Sequence, residues 1–351
     1  MADALPRFAL QEGSSCNLCH VNPAGGGLRN DYGISVASHE RSQNDNGILA
    51  SSYTGMINRH LRVGGDLRFL NYNTVDGDQI KTALFPMQAD ISGQWKMGEN
   101  LNLVLKQDLM RNQNEAWILW THLPLNGYLK AGKDIPAFGL NLDDHSSFIR
   151  GGNINNQVLH YEGLVFSPYL IAPGMIEYGI QFNNVYISQS VANQFIHSSG
   201  MGGFNELLHD KAYTLRMEWR PSFNRLTGHL GGSLLQQGII RFTGIFGGLA
   251  FEKFSWLGEV DLAEEYVLNG SALASFTEWN YNVLPGYNFQ IKFDFFDENI
   301  ETLGGAVRRL SLGLEFFPIP FLEIRYQVRF TDYSTRSDLR EEYLIQIHTW
   351  F

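Results

Sequence analysis

Cys16 and Cys19 are the only cysteines of the chain, and His20 follows them directly in SSCNLCHVNPAGGG. C-x-x-C-H is the attachment spacing of a c-type haem: two thiols two residues apart reach the two vinyl groups of one porphyrin edge, and the next residue ligates the iron from the proximal side. The chemistry expected is therefore a single covalent haem c, anchored by Cys16 and Cys19 with His20 as axial ligand. Competing uses need partners that the sequence does not offer. A structural zinc site requires further ligands, and no second cysteine pair exists. A thioredoxin-like pair requires a βαβ setting, which the surrounding pattern lacks. A disulfide across two residues stays open.

The iron's sixth position has several candidates. They are His145 in LDDHSSF, His39 in the same segment as the motif, His348 near the C-terminus, and Met56 and His60 between them. Asp143, Asp144 and His145 also admit a second reading, because two carboxylates and an imidazole in a row can hold a divalent cation such as ferrous iron. The plain alternative is a capped turn. Gly25, Gly26 and Gly27 either let backbone approach the haem closely or form a turn. Arg29 is placed to pair with a propionate or to be solvated.

The rest of the chain must position these groups. Net charge is −10, which disfavours a nucleic-acid partner. Aromatic residues make up 13% and charged residues only 18%, yet no apolar run is long enough for a spanning helix. The first residues, MADALPRF, contain no apolar signal region and read as the start of a mature chain. Residues 1–52 show no strand alternation and form one unit, a compact segment carrying the cysteines.

From about residue 60 the pattern alternates with period two. In FLEIRYQVRFTDY, Leu322, Ile324, Tyr326, Val328 and Phe330 oppose Glu323, Arg325, Gln327 and Arg329. In YNFQIKFDFF, Phe289, Ile291 and Phe293 oppose Gln290, Lys292 and Asp294. One face carries charges of both signs, strand after strand, and the other is apolar and aromatic. That is the pattern of a membrane barrel with lipid outside and a polar lumen. The expected fold is all-β, a transmembrane antiparallel barrel of sixteen strands over residues 53–351, with segment 1–52 plugging the lumen. The strands begin near residues 60, 82, 101, 115, 128, 175, 185, 212, 228, 241, 255, 273, 287, 307, 321 and 339. Short turns alternate with longer connections, and an even count puts both barrel ends in the periplasm. The connection over 136–174 is long, mixes apolar with charged residues, and is expected to fold into the lumen.

FALQEGSSCNLCH, followed by Tyr32-Gly33 and a long barrel, resembles the fused cytochrome–porins of the outer membrane, whose best-known members oxidise iron. Phe8, Ala9, Gln11 and Gly13 stand where that family has a phenylalanine–alanine pair, a glutamine and a glycine. VNPAGGGLRNDYG departs from its more apolar stretch. The resemblance implies a monohaem cytochrome plug in a sixteen-stranded barrel of the bacterial outer membrane. It implies electrons passing between an extracellular donor or acceptor, such as iron or a cytochrome, and periplasmic cytochromes. One haem is short against a bilayer about 30 Å thick, so a periplasmic partner is expected. The alternatives are a solute porin with a haem-bearing gate or sensor segment and a haem enzyme acting on a small molecule.

Overall fold

The computed structural model describes residues 6–44, 53–77, 79–110, 113–142, 144, 146–152, 154–155, 160–161, 163–164, 172–193, 210–267, 270–335 and 338–351. Among them, sixteen antiparallel strands close into a barrel. They are β1 (Leu61–Asp76), β2 (Gln79–Lys96), β3 (Leu101–Asp108), β4 (Asn114–Leu123), β5 (Gly127–Lys133), β6 (Gly174–Phe182), β7 (Val185–Ala192) and β8 (Ala212–Trp219). Then follow β9 (Leu226–Gln237), β10 (Ile240–Phe251), β11 (Phe254–Val267), β12 (Gly270–Leu284), β13 (Tyr287–Asp297), β14 (Val307–Phe316), β15 (Leu322–Tyr333) and β16 (Arg340–Trp350). The seam joins β1 to β16, in register from Asp66 opposite Trp350 to Asp76 opposite Arg340. A two-residue segment, Ser222–Phe223, pairs only with the start of β9.

Alternation sets which side chains face lipid. On β8, Tyr213, Leu215, Met217 and Trp219 are exposed, whereas Thr214 and Glu218 are buried. On β14, Leu310, Leu312 and Leu314 face out, and Arg309, Ser311 and Glu315 face in. Trp95, Trp120, Trp219, Phe251, Tyr281 and Phe351 are exposed near one rim, as an aromatic interface girdle requires. That rim carries the turns at 97–100, 124–126, 183–184, 252–253 and 285–286, together with the start of β1 and the end of β16. Asn183, in a two-residue hairpin loop, takes φ 51, the left-handed conformation such turns require.

The opposite rim holds the longest connections, 134–173 and 193–211, but also the short links from β1 to β2, β9 to β10 and β11 to β12. Those links are short because β1, β2 and β9 to β12 run 12 to 18 residues and extend further toward that rim. From β3 to β8 the strands have only 7 to 10 residues.

The lumen is filled from two directions. The described part of connection 134–173 folds inward, as expected, and is pinned to the wall. The amide N–H groups of Ala137 and Leu140 donate to Glu177 and Glu259 at 3.0 and 2.8 Å, and the Ser147 hydroxyl donates to Asp294 at 2.7 Å. Phe148 and Ile149 are fully buried with Phe242, Phe246 and Leu257 of the wall. The N-terminal segment enters from the short-turn rim. In α1 (Pro6–Gln11), Arg7 pairs with Glu278 of β12 at 3.2 Å and with Glu315 of β14. The Thr227 hydroxyl of β9 donates to the Leu10 carbonyl. Asn22 and Asn141 bond across the junction to Asp134 and the Ala24 carbonyl, at 3.1 and 3.0 Å.

Candidate functional site

The cysteine motif forms one tight helical turn. Residues Cys16–Leu18 are 3-10 helical, and the amides of Cys19 and His20 both donate to the Cys16 carbonyl, at 3.2 and 3.1 Å. This brings both thiols and the imidazole together. Asn30 fastens the turn from outside, its side-chain amide donating to the carbonyls of Asn17 and Leu18 at 2.9 Å each. The chain then doubles back. His20 bridges Arg29, and the Val21 amide donates to the Leu28 carbonyl at 3.0 Å. Gly25, Gly26 and Gly27 make the reversal with φ of 90, 76 and 63°, which side chains other than glycine adopt only with strain. The triplet therefore has a conformational reason of its own.

Two chambers adjoin this turn, and Cys16 borders both. The smaller, about 40 Å3, is lined by Cys16, Cys19, His20, Arg29, Arg41, Glu323, His348 and Trp350. The larger, about 120 Å3, lies between the glycine turn, residues 134–142 and the wall, where Trp117, Tyr186, Arg216, Glu218, Arg220 and His229 face it. Neither cysteine is in a disulfide. Burial pushes both thiol pKa values up, for Cys16 and Cys19 alike, so both are held as thiols. The donor set fits a c-type haem: two thiols and an adjacent imidazole border one chamber, and two arginines share its wall. Arg29 lies 4.4 Å over the Trp350 ring and donates to the Ser38 hydroxyl at 3.3 Å. Arg41 lies 3.6 Å over Phe8 and pairs with Glu12 at 3.2 Å.

The other candidates are scattered. His348 is fully buried in the wall of the smaller chamber, but its Nδ1 and Nε2 contact Glu323 and Asp66, each at 3.1 Å. Both nitrogens are thus committed to carboxylates. His39 stands edge-on to Phe321, with ring centroids 6.1 Å apart. His60 is exposed at the rim, against Arg59 and the Lys96 carbonyl. Met56 bridges Arg62. None of these three borders either chamber. His145 and Asp143 lie outside the described residues. Asp144 reaches into the lumen, 3.2 Å from Lys292 and 3.8 Å from Arg329. Burial alone would raise its pKa, but Lys292, Arg329 and Arg309 hold the carboxyl well below the usual range. Cations thus occupy the surroundings in which a divalent ion would have to sit, and no metal-ligating cluster of three occurs among the described residues.

His229 was not among the sequence candidates, although alternation places it inward with Thr227 and Ser233. Its Nδ1 lies 3.3 Å from Glu218, and Arg216 and Arg220 hold that carboxylate at 2.8 and 2.7 Å.

A closed sixteen-stranded barrel with a lipid-facing apolar belt, a charged lumen and an inward-folded connection is the architecture of an outer-membrane porin. Solved structures agree. The chain is similar to OprB of Pseudomonas putida (TM-score 0.59, 8% identity, 83% of this chain and 94% of that one). It is also similar to OmpT of Vibrio cholerae (0.56, 13%, 83% and 97%) and to the anion-selective porin of Comamonas acidovorans (0.56, 9%, 83% and 99%). At these identities the likeness is one of fold. No family model matches the chain, and no curated protein matches it in sequence.

Proposed function

We propose that this porin-type barrel carries one covalent haem c inside its lumen and passes single electrons across the outer membrane. The donor or acceptor outside is iron or a cytochrome, and the partner inside is a periplasmic cytochrome. The observation that carries the reading is that Cys16, Cys19 and His20 border one chamber inside the barrel. Once bound, haem supplies a one-electron couple at a potential the surroundings tune. The chain does the rest. Cys16 and Cys19 would anchor the porphyrin edge, and His20 would ligate its iron. Arg29 and Arg41 offer cations for its carboxylates. The segment over 6–44 and the inward connection exclude solutes from the site. Both barrel ends lie at the short-turn rim, the periplasmic side in such barrels, so the haem segment starts where a soluble cytochrome can reach it.

The fold likeness favours a second reading, a solute porin in which the haem segment acts as a gate. Two measurements on protein matured in the periplasm separate them. A denaturing gel stained for haem should give a covalent band that Cys16→Ser/Cys19→Ser abolishes. Vesicles holding the protein should transfer electrons to an enclosed acceptor while excluding small sugars. Sugar permeation without electron transfer would favour the porin, and absence of covalent haem would overturn the haem reading.

A further inference from the structure

We propose that the larger chamber is a binding site for a small aromatic carboxylate, held by Arg216 and Arg220. This goes beyond the haem reading and does not depend on it. The corner of the chamber beside β8 carries surplus positive charge. Arg216 and Arg220 share one carboxylate, Glu218, at 2.8 and 2.7 Å. Elsewhere on the chamber the acids outnumber the cations: Lys106 has Glu115 and Asp90, and Arg150 has Glu259 and Asp261. An anion is therefore drawn to the arginine corner and repelled from the rest. That corner also has hydrogen-bond donors to spare. A guanidinium offers five N–H groups. Among the described residues the Arg220 side chain makes one hydrogen bond, from Nη2 to Glu218. Arg216 gives Nε to the Gly139 carbonyl at 2.8 Å and pairs with Glu218 through Nη1. Nη2 of Arg216 and Nε and Nη1 of Arg220 are left for a ligand, and the guanidinium fork matches a carboxylate.

The walls beside this corner are apolar and aromatic. Arg216 and Arg220 lie 5.8 and 5.3 Å over the Tyr186 ring. Tyr186 and Trp117 of the wall, Val21 of the N-terminal segment, and Phe138 and Leu140 of the inward connection border the same space. Apolar walls with a few convergent polar groups are the usual make-up of a small-molecule site. The chamber, about 120 Å3, approaches in size a cavity of about 150 Å3 that takes up one benzene. A single flat ring bearing one carboxylate matches the volume, the walls and the charged corner together. A hydrated metal cation would meet two arginines there instead.

The test is isothermal titration calorimetry of the full-length protein, matured in the periplasm and held in detergent at neutral pH. Benzoate should bind saturably. Benzamide has the shape without the charge, and acetate has the charge without the ring. Each should bind about tenfold or more weakly. Arg220→Gln should weaken benzoate by about tenfold and remove its advantage over benzamide. Arg308→Gln, paired with Asp332 at the far rim, should leave benzoate binding unchanged. Absence of saturable binding, or equal binding of benzoate and benzamide, would overturn the proposal, and neither result requires a variant to fold. An unchanged benzoate affinity in folded Arg220→Gln would overturn it as well. Cys16→Ser/Cys19→Ser, which cannot attach haem, should bind benzoate as the wild type does. Binding by that variant alone would mean that haem fills the chamber, which also overturns the proposal. A wild type that lacks covalent haem and still binds benzoate would remove the haem reading and leave this site standing.

Discussion

Gly33 lies directly against Cys19: a Cβ built on Gly33 would sit 2.2 Å from the Cys19 carbonyl oxygen. Its φ is not in the left-handed region, so closeness alone requires glycine here. The contact is backbone to side chain, and no rotamer relieves it. Gly33→Ala must push the helical turn of residues 16–20 aside, at about 1–3 kcal/mol typical of overpacking. Covalent haem should fall several-fold in this variant while the barrel still assembles, as read by haem stain and by heat-modifiable mobility on one gel.

Arg150 staples the inward connection to the wall, 2.7 Å from Glu259 and 3.3 Å from Asp261. Removing one partner of a buried ion pair strands the other charges and costs about 3–5 kcal/mol. Arg150→Ala should loosen the connection and raise ion conductance in a planar bilayer well above that of the wild type. Equal conductance would mean that the connection is held without this pair.

Asp144 gives a second staple with a pH signature. Its folded pKa is depressed below the unfolded value of about 3.9. The staple is therefore fully present above that value and is lost as pH falls through the lower folded pKa. Protease accessibility of the connection should stay flat from neutral pH down to about 4 and rise only in stronger acid. Asp144→Asn should show the raised accessibility already at neutral pH.

The buried thiols make a prediction for protein produced without haem. Because burial raises both pKa values, alkylation of Cys16 and Cys19 at pH 7 should be slower than that of a free cysteine peptide. Unfolding in denaturant should abolish the slowing. Mass spectrometry of the alkylated peptides reads both rates.

The barrel was largely legible because alternation is a local property. Strand starts expected at 101, 185, 212, 287 and 307 coincide with those observed, and the largest shifts are three residues, at Gln79 and Gly270. Both lie on the far rim: residues 79–86 are exposed on both faces, whereas from Gly270 the faces alternate in burial but Gly270, Ser271 and Ala272 are too small to mark them in the sequence. The spacing of Cys16, Cys19 and His20 was equally legible as a motif, and the structure gathers the three residues beside one chamber. The surroundings of the inward-facing histidines were not. His348 shares the inward parity expected of it, but Asp66, 282 residues away, and Glu323 take its two nitrogens. His229 carried the same parity signal in TGHLGGS. What sets it apart is Glu218 across the strand pair and Cys16 from the other end of the chain, and only the closed barrel brings these together.

The Arg7 contacts bear on the order of assembly. Its partners Glu278 and Glu315 stand 271 and 308 positions further along the chain. They can meet it only once β12 and β14 are in place, so these pairings cannot precede the arrival of that part of the wall. Until then these two pairings cannot hold the leading segment in the lumen. After closure Cys16 and Cys19 face chambers inside the lumen. On the haem reading, covalent attachment would then fall in an interval before the barrel seals.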